Sequence, residues 1–82
     1  MEIKFAETEE DLKKCIEVIQ ALRPHLTLER FLTLIPEMKK ESYRLAFIEE
    51  NGKAVSACGF RYMTTLFEGR FIYIDDLSTL SE

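Results

Sequence analysis

Two adjacent carboxylates, Asp75 and Asp76, interrupt the stretch "FIYIDDLSTLSE" at 71–82 where an apolar, strand-like run gives way to polar residues. A carboxylate can take up a proton, but side chains alternate sides along a strand, so only one of this pair is expected to face a cleft. With nothing else attached, two acids closing a strand read as solvated charges. His25, the only histidine, sits in "RPHLT", where it reads as a loop side chain packing on its neighbours. Arg61 and Arg70 lie near strand ends; either could hold an acidic group, and both read as solvated. Cys15 and Cys58 show no CxxC or Cys/His spacing, so no metal site is expected. Each falls among apolar neighbours, Cys15 on a helix and Cys58 in a strand. Two buried, reduced thiols are expected rather than a disulfide.

The elements that must position these groups come from one domain, residues 1–82. The composition is 46% hydrophobic and 32% charged, which argues against disorder. The net charge is −4 and the longest basic runs are the pairs Lys13-Lys14 and Lys39-Lys40, so no nucleic-acid partner is expected. No apolar run approaches the ~20 residues needed to span a bilayer. The acidic "MEIKFAETEE" lacks the apolar core of a signal peptide. A cytoplasmic protein without membrane contact is the expectation.

"EIKFA" (2–6) reads as an opening strand. Thr8 caps a helix running to about Arg23, with Glu9, Glu10 and Asp11 at the positive end of its dipole. Leu12, Cys15, Ile16, Ile19 and Leu22 form its apolar stripe. Glu9 with Lys13 and Glu10 with Lys14 are favourable i,i+4 pairs. Pro24 ends this helix. Thr27 caps a second helix to about Lys40 with the stripe Leu28, Phe31, Leu32, Ile35 and Met38; Pro36 is expected to kink or shorten it. "YRLAFIEE" (43–50) and "KAVSACGFRYM" (53–63) are strands around Asn51-Gly52, a strong type I′ hairpin signal. "TTLFEG" (64–69) reads as a turn or short extension, and "RFIYIDDL" (70–77) as a fourth strand. The predicted fold is α+β: strand-helix-helix-strand-strand-strand, with an antiparallel sheet and both helices on one face.

Neither face of that sheet reads as polar. Tyr43, Leu45 and Phe47 oppose Ala46 and Ile48; Val55 and Ala57 oppose Cys58 and Phe60; Phe71 and Tyr73 oppose Ile72 and Ile74. A half-solvated antiparallel sheet should alternate apolar and polar residues. Two helices cover one face only, so a homodimer or larger oligomer formed through the sheet is expected to cover the other.

Three stretches, "IKFAETEEDLKKCIEVIQALRPHLTLERFL", "LAFIEENGKAVSACGFR" and "GRFIYIDDLSTLSE", resemble the first half of the GNAT superfamily of acetyl-CoA-dependent N-acetyltransferases. The likeness spans essentially this whole chain and about half of a family domain. It implies half of an acyl-CoA N-acyltransferase fold. In complete members the fourth strand runs into a glycine-rich turn, Q/R-x-x-G-x-G/A, whose helix N-terminus holds the coenzyme A pyrophosphate. The chain is expected to stop at Glu82 where that turn would begin, and Gly52, Gly59 and Gly69 form no such motif. No cofactor is therefore expected for the isolated chain, although complete members bind acetyl-CoA.

The resemblance also assigns roles. Members place a carboxylate base on or near the fourth strand, where Asp75 and Asp76 lie. They hydrogen-bond the pantetheine arm through the backbone of that strand near a bulge, where Leu77, Ser78 and Thr79 lie. They line the acceptor side with the segment that holds His25. Ser78 and Thr79 would equally suit a fraying strand end. Three functions follow as expectations: a truncated acetyltransferase-like domain inactive alone, half of a split enzyme completed by another chain, or a non-catalytic dimerisation or protein-binding module.

Overall fold

The computed structural model describes residues 2–80; Ser81 and Glu82, at which the chain is expected to stop short of the glycine-rich turn, lie outside the described residues. The order is β1 (Ile3–Phe5), α1 (Glu9–Leu22), α2 (Leu28–Lys39), β2 (Tyr43–Glu50), β3 (Lys53–Thr65) and β4 (Gly69–Thr79). The four strands form one antiparallel sheet in the order β1-β2-β3-β4. This is the α+β layout expected from the sequence. No helix among the described residues is long and apolar enough to cross a membrane.

Helix α1 starts at a capping box. Thr8 Oγ1 accepts from the Asp11 N–H at 3.1 Å, while Asp11 Oδ2 accepts from the N–H groups of Glu7 and Thr8 at 3.0 and 3.2 Å. The Glu7 N–H is the largest cause holding the Asp11 carboxyl below its usual range. The buried stripe is Leu12, Cys15, Val18 and Ile19. Val18 is buried where Ile16 and Leu22 were expected; Ile16 is half-buried, and Leu22 is exposed on the wall of a cleft. Lys13 pairs with Glu9 at 3.7 Å, but Lys14 reaches Glu49 on β2 at 3.2 Å instead of Glu10, and Glu49 also gathers Lys4 at 3.2 Å.

Helix α2 runs through Pro36 rather than stopping there. Only one turn follows the proline, so the single lost donor, the one Leu32 C=O would have used, falls near the helix end. The Lys40 N–H closes that end on Glu37 O at 3.2 Å, and Lys39 Nζ donates to Ala6 O at 2.7 Å, tying α2 to the exit of β1. Phe31 and Ile35 pack with Leu12, Cys15, Val18 and Ile19 on Tyr43, Leu45, Phe47 and Ala57 of the sheet. Both helices thus bury the same sheet face.

The β2–β3 turn has φ of 54° at Asn51 and 84° at Gly52, both positive as a type I′ turn requires. Two register shifts depart from simple alternation. Between Ile48 and Glu49 the partners jump from Ser56 to Ala54, so Val55 is an extra residue and Ala54 and Ala57 both face the core. The second shift lies in β4: Gly59 pairs with Asp76 but Phe60 pairs with Ile74, leaving Asp75 extra.

The stretch 64–69 is half strand and half turn. Thr64 and Thr65 pair with Arg70 and Gly69, and only Leu66–Glu68 turn. Pairing of β3 with β2 ends at Arg61, opposite Tyr43. Beyond it, residues 62–65 and 69–72 pair only with each other and form a two-stranded arm. At the far end of β4, Ser78 and Thr79 pair with Ala57 and Ser56, and the Leu80 N–H donates to Val55 O at 2.8 Å. These residues are held in the sheet and do not fray.

Gly52→Val forces a β-branched residue to positive φ and should lower stability by about 1–3 kcal/mol. A urea midpoint equal to that of the parent chain would refute the turn geometry. The Asp11 carboxyl binds its proton more weakly folded than unfolded. Its stabilising contribution is present above the unfolded value, about 3.9, and is lost as pH falls through the lower folded value. Asp11→Ala should melt lower at pH 7 and lose less stability between pH 5 and pH 2, as followed by circular dichroism.

Candidate functional site

A cleft of about 810 Å³ opens between the α1–α2 bend, α2 and β4. The bend is fixed locally: the Leu26 N–H donates to Arg23 O at 3.0 Å and Gln20 Nε2 donates to Leu26 O at 2.7 Å. Leu22, Leu34 and Met38 give the cleft apolar walls, and Tyr43, Tyr73, Asp75 and Asp76 give it a polar floor.

The bulge decides how the two acids lie. Alternation alone would send Asp75 and Asp76 to opposite faces. The extra residue turns both toward the helix side, and both line the same cleft. The expectation that only one faces a cleft is thus corrected.

Asp76 is the more enclosed, with 13% of its side chain exposed. Its Oδ1 accepts from Arg23 Nε at 3.1 Å and from Nη2 at 2.8 Å, and its Oδ2 accepts from the Tyr43 hydroxyl at 3.1 Å. Arg23 Nη2 also reaches Asp75 O at 3.4 Å. Tyr43 can approach only because Gly59 lies beneath it. A Cβ at position 59 would run into the Tyr43 phenol. Burial, and then the charge of Asp76, push the Tyr43 hydroxyl far above its ordinary pKa, so it acts as a fixed donor.

Asp75 Oδ2 accepts from Arg61 Nε at 2.9 Å. Arg61 Nη1 lies 3.5 Å from Glu41 Oε1, and the guanidinium sits 5.6 Å from the centre of the Tyr43 ring. The hydrogen bond to Asp75 raises the Arg61 pKa further. Arg61 is therefore a clamped residue, with 21% of its side chain exposed, and not the solvated arginine expected. Asp75 Oδ1, by contrast, has no hydrogen-bond partner among the described residues and is not sealed from solvent. It is the one carboxylate oxygen of the pair left free to accept a proton or an N–H from a ligand.

His25 sits exposed on the bend and lines the cleft mouth. Leu77, Ser78 and Thr79 lie past the bulge, outside the cleft lining. Leu77 is exposed, and Thr79 Oγ1 lies 2.9 Å from Ser56 Oγ. Because β4 is last in the sheet order, the outer edge of these residues meets no strand of this chain. Arg70 lies on the arm over the Tyr62 ring, 5.0 Å from its centre. Burial raises the thiol of Cys15 to about 12 and also raises that of half-buried Cys58; both cysteines are free. Among the described residues no group of three or more His, Cys, Asp or Glu is placed to hold a metal ion.

Arg23, Tyr43 and Gly59 complete the site without having been singled out for it, and Arg61, read as able to hold an acidic group, holds Asp75. Gly59 carried a usable signal, since glycine inside a strand often marks a close approach. Arg23 before Pro24 and Tyr43 opening a strand carried none. The chain matches no family model, no curated protein and no solved structure.

Tyr43→Phe removes one donor from an enclosed carboxylate and should cost about 1–2 kcal/mol. Gly59→Ala should cost about 1–3 kcal/mol by overpacking. In the Tyr43→Leu background the Gly59→Ala penalty should shrink. Additive penalties in urea unfolding would show that the two positions do not touch.

Proposed function

We propose that residues 1–82 are the N-terminal half of an acetyltransferase-like domain, carrying the acceptor side and inactive alone. The bulge at Asp75 carries this reading. It turns two carboxylates into one cleft and lies next to the open strand edge at 77–79, the arrangement that the resemblance to GNAT acetyltransferases calls for. In this reading an acceptor amine enters past His25 and meets Asp75 Oδ1, which takes its proton. Asp76 acts differently. Held by Arg23 and Tyr43, it fixes the bend against β4 and shapes the cleft.

The residues present do not fit the pyrophosphate of acetyl-CoA. Helix α1 has Glu9, Glu10 and Asp11 in its first turn, and α2 has Glu29. Acids there oppose a phosphate. The two positive-φ glycines, Gly52 and Gly69, serve hairpins rather than a helix N-terminus. The open edge at 77–79 suits only an amide arm. Binding of the coenzyme thus requires a turn that these 82 residues do not contain, and a second chain that supplies it would make this half of a split enzyme.

Titration calorimetry should give no saturable heat with acetyl-CoA for this chain; micromolar binding would overturn inactivity alone. Joining the chain to the second half of a family acetyltransferase should create acetyl-CoA binding and amine acetylation. Asp75→Asn should then reduce turnover at least a hundredfold with little effect on folding. A folded chimera that binds no acetyl-CoA would refute the reading.

A further inference from the structure

The sheet face away from the helices is bare. Ile3, Phe5, Tyr62, Ile72, Ile74 and Leu77 lie on it across three strands, each between 43% and 68% exposed. Phe60 joins Phe5 and Tyr62 into one aromatic row, with ring centres 6.4 and 6.0 Å apart. At the end of the arm, Leu66 and Phe67 are fully exposed. We propose that a second copy of this chain covers this face, the two sheets stacking about a two-fold axis with each arm lying against its partner.

Area is the first argument. At about 200 Å² for a large side chain, the six face residues expose roughly 650 Å² and the arm tip roughly 400 Å² more. That exceeds the ~300–600 Å² of the largest apolar patch on a typical monomer. It also reaches the ~800 Å² that each partner buries in a standard stable interface. Tyr62 and Ile72 place the base of the arm on the same face.

Charge is the second. The face carries two arginines, and neither opposes its own copy at the centre as a bare charge. Arg44 stacks 4.5 Å from the Phe5 ring centre and lies 3.8 Å from Glu7; Arg70 stacks over Tyr62, out on the arm. With a net charge of −4, the chain is poorly suited to an anionic lipid surface. Edge-to-edge pairing of two β4 strands is disfavoured as well, because the bulge at Asp75 interrupts that edge midway. Face stacking at the usual ~10 Å sheet spacing has no such obstacle.

Sedimentation equilibrium of the 82-residue chain at 1–100 μM should report twice the 9.6 kDa monomer mass. Ile74→Glu, on the edge strand beside Phe60, should give a folded monomer. The double variant Leu66→Ser, Phe67→Ser changes residues that make no core contact, so it tests the surface even if Ile74→Glu fails to fold. It should weaken dimerisation at least tenfold with an unchanged circular dichroism spectrum. A folded monomer at 100 μM overturns the proposal. So does a dimer indifferent to the tip variant, or a monomer that co-sediments with phosphatidylcholine–phosphatidylglycerol vesicles.

Discussion

The Asp76 carboxylate is the point where three separate parts of the chain are held to one geometry. Arg23 brings the end of α1, Tyr43 brings the start of β2, and Asp76 itself brings the middle of β4. A largely enclosed carboxylate is costly unless its oxygens are matched by donors. Here each oxygen has one or two, and the donors come from the end of α1 and the start of β2. The bend between the helices therefore has a defined position over the sheet, and the cleft beneath it has a defined floor.

That geometry rests on two backbone irregularities. The extra residue at Asp75 brings two adjacent acids to one side of the sheet, and the absence of a side chain at Gly59 lets the Tyr43 ring lie across β3. Each alone would be of little use. Without the bulge one acid would face the bare side; without the glycine the Tyr43 hydroxyl could not reach Asp76. Arg61 and its stacking over the same ring then hold the second acid and leave one oxygen of Asp75 open. The division of labour between the two acids follows from their partners and not from their positions in the sequence.

The elements were legible because each is announced locally. Thr8 and Thr27 cap, Pro24 stops, and Asn51-Gly52 turns, and all four act within a few residues of themselves. The extra residues at Val55 and Asp75 were not legible, because a bulge is a relation between two strands and "IDDL" read alone alternates like any strand. The same limit explains Lys14, whose partner Glu49 is 35 residues away, and Arg61, which looked solvated until Asp75 and Glu41 closed on it. The arm was read as a turn or short extension, and it is both. Strand pairing continues to Thr65 and Gly69 because Thr64 and Thr65 favour extended backbone, and Gly69 supplies the positive φ, 73°, that tightens the turn.

Stability is not evenly spread through such a sheet. Hydrogen bonds in β2 and the first half of β3 lie over the helices and open only when the core does. Those between 62–65 and 69–72 belong to a two-stranded ribbon with no third strand and no helix beneath it, and an isolated hairpin is marginal in water. The arm therefore forms its own opening unit in the free chain, exchanging its amide hydrogens by local fluctuation while the sheet behind it stays closed. Because β4 runs without a break from that ribbon to the bulge, the mobile and the rigid parts share one strand. Tyr73 and Asp75 sit at the joint, so the floor of the cleft lies at the boundary between the two regimes.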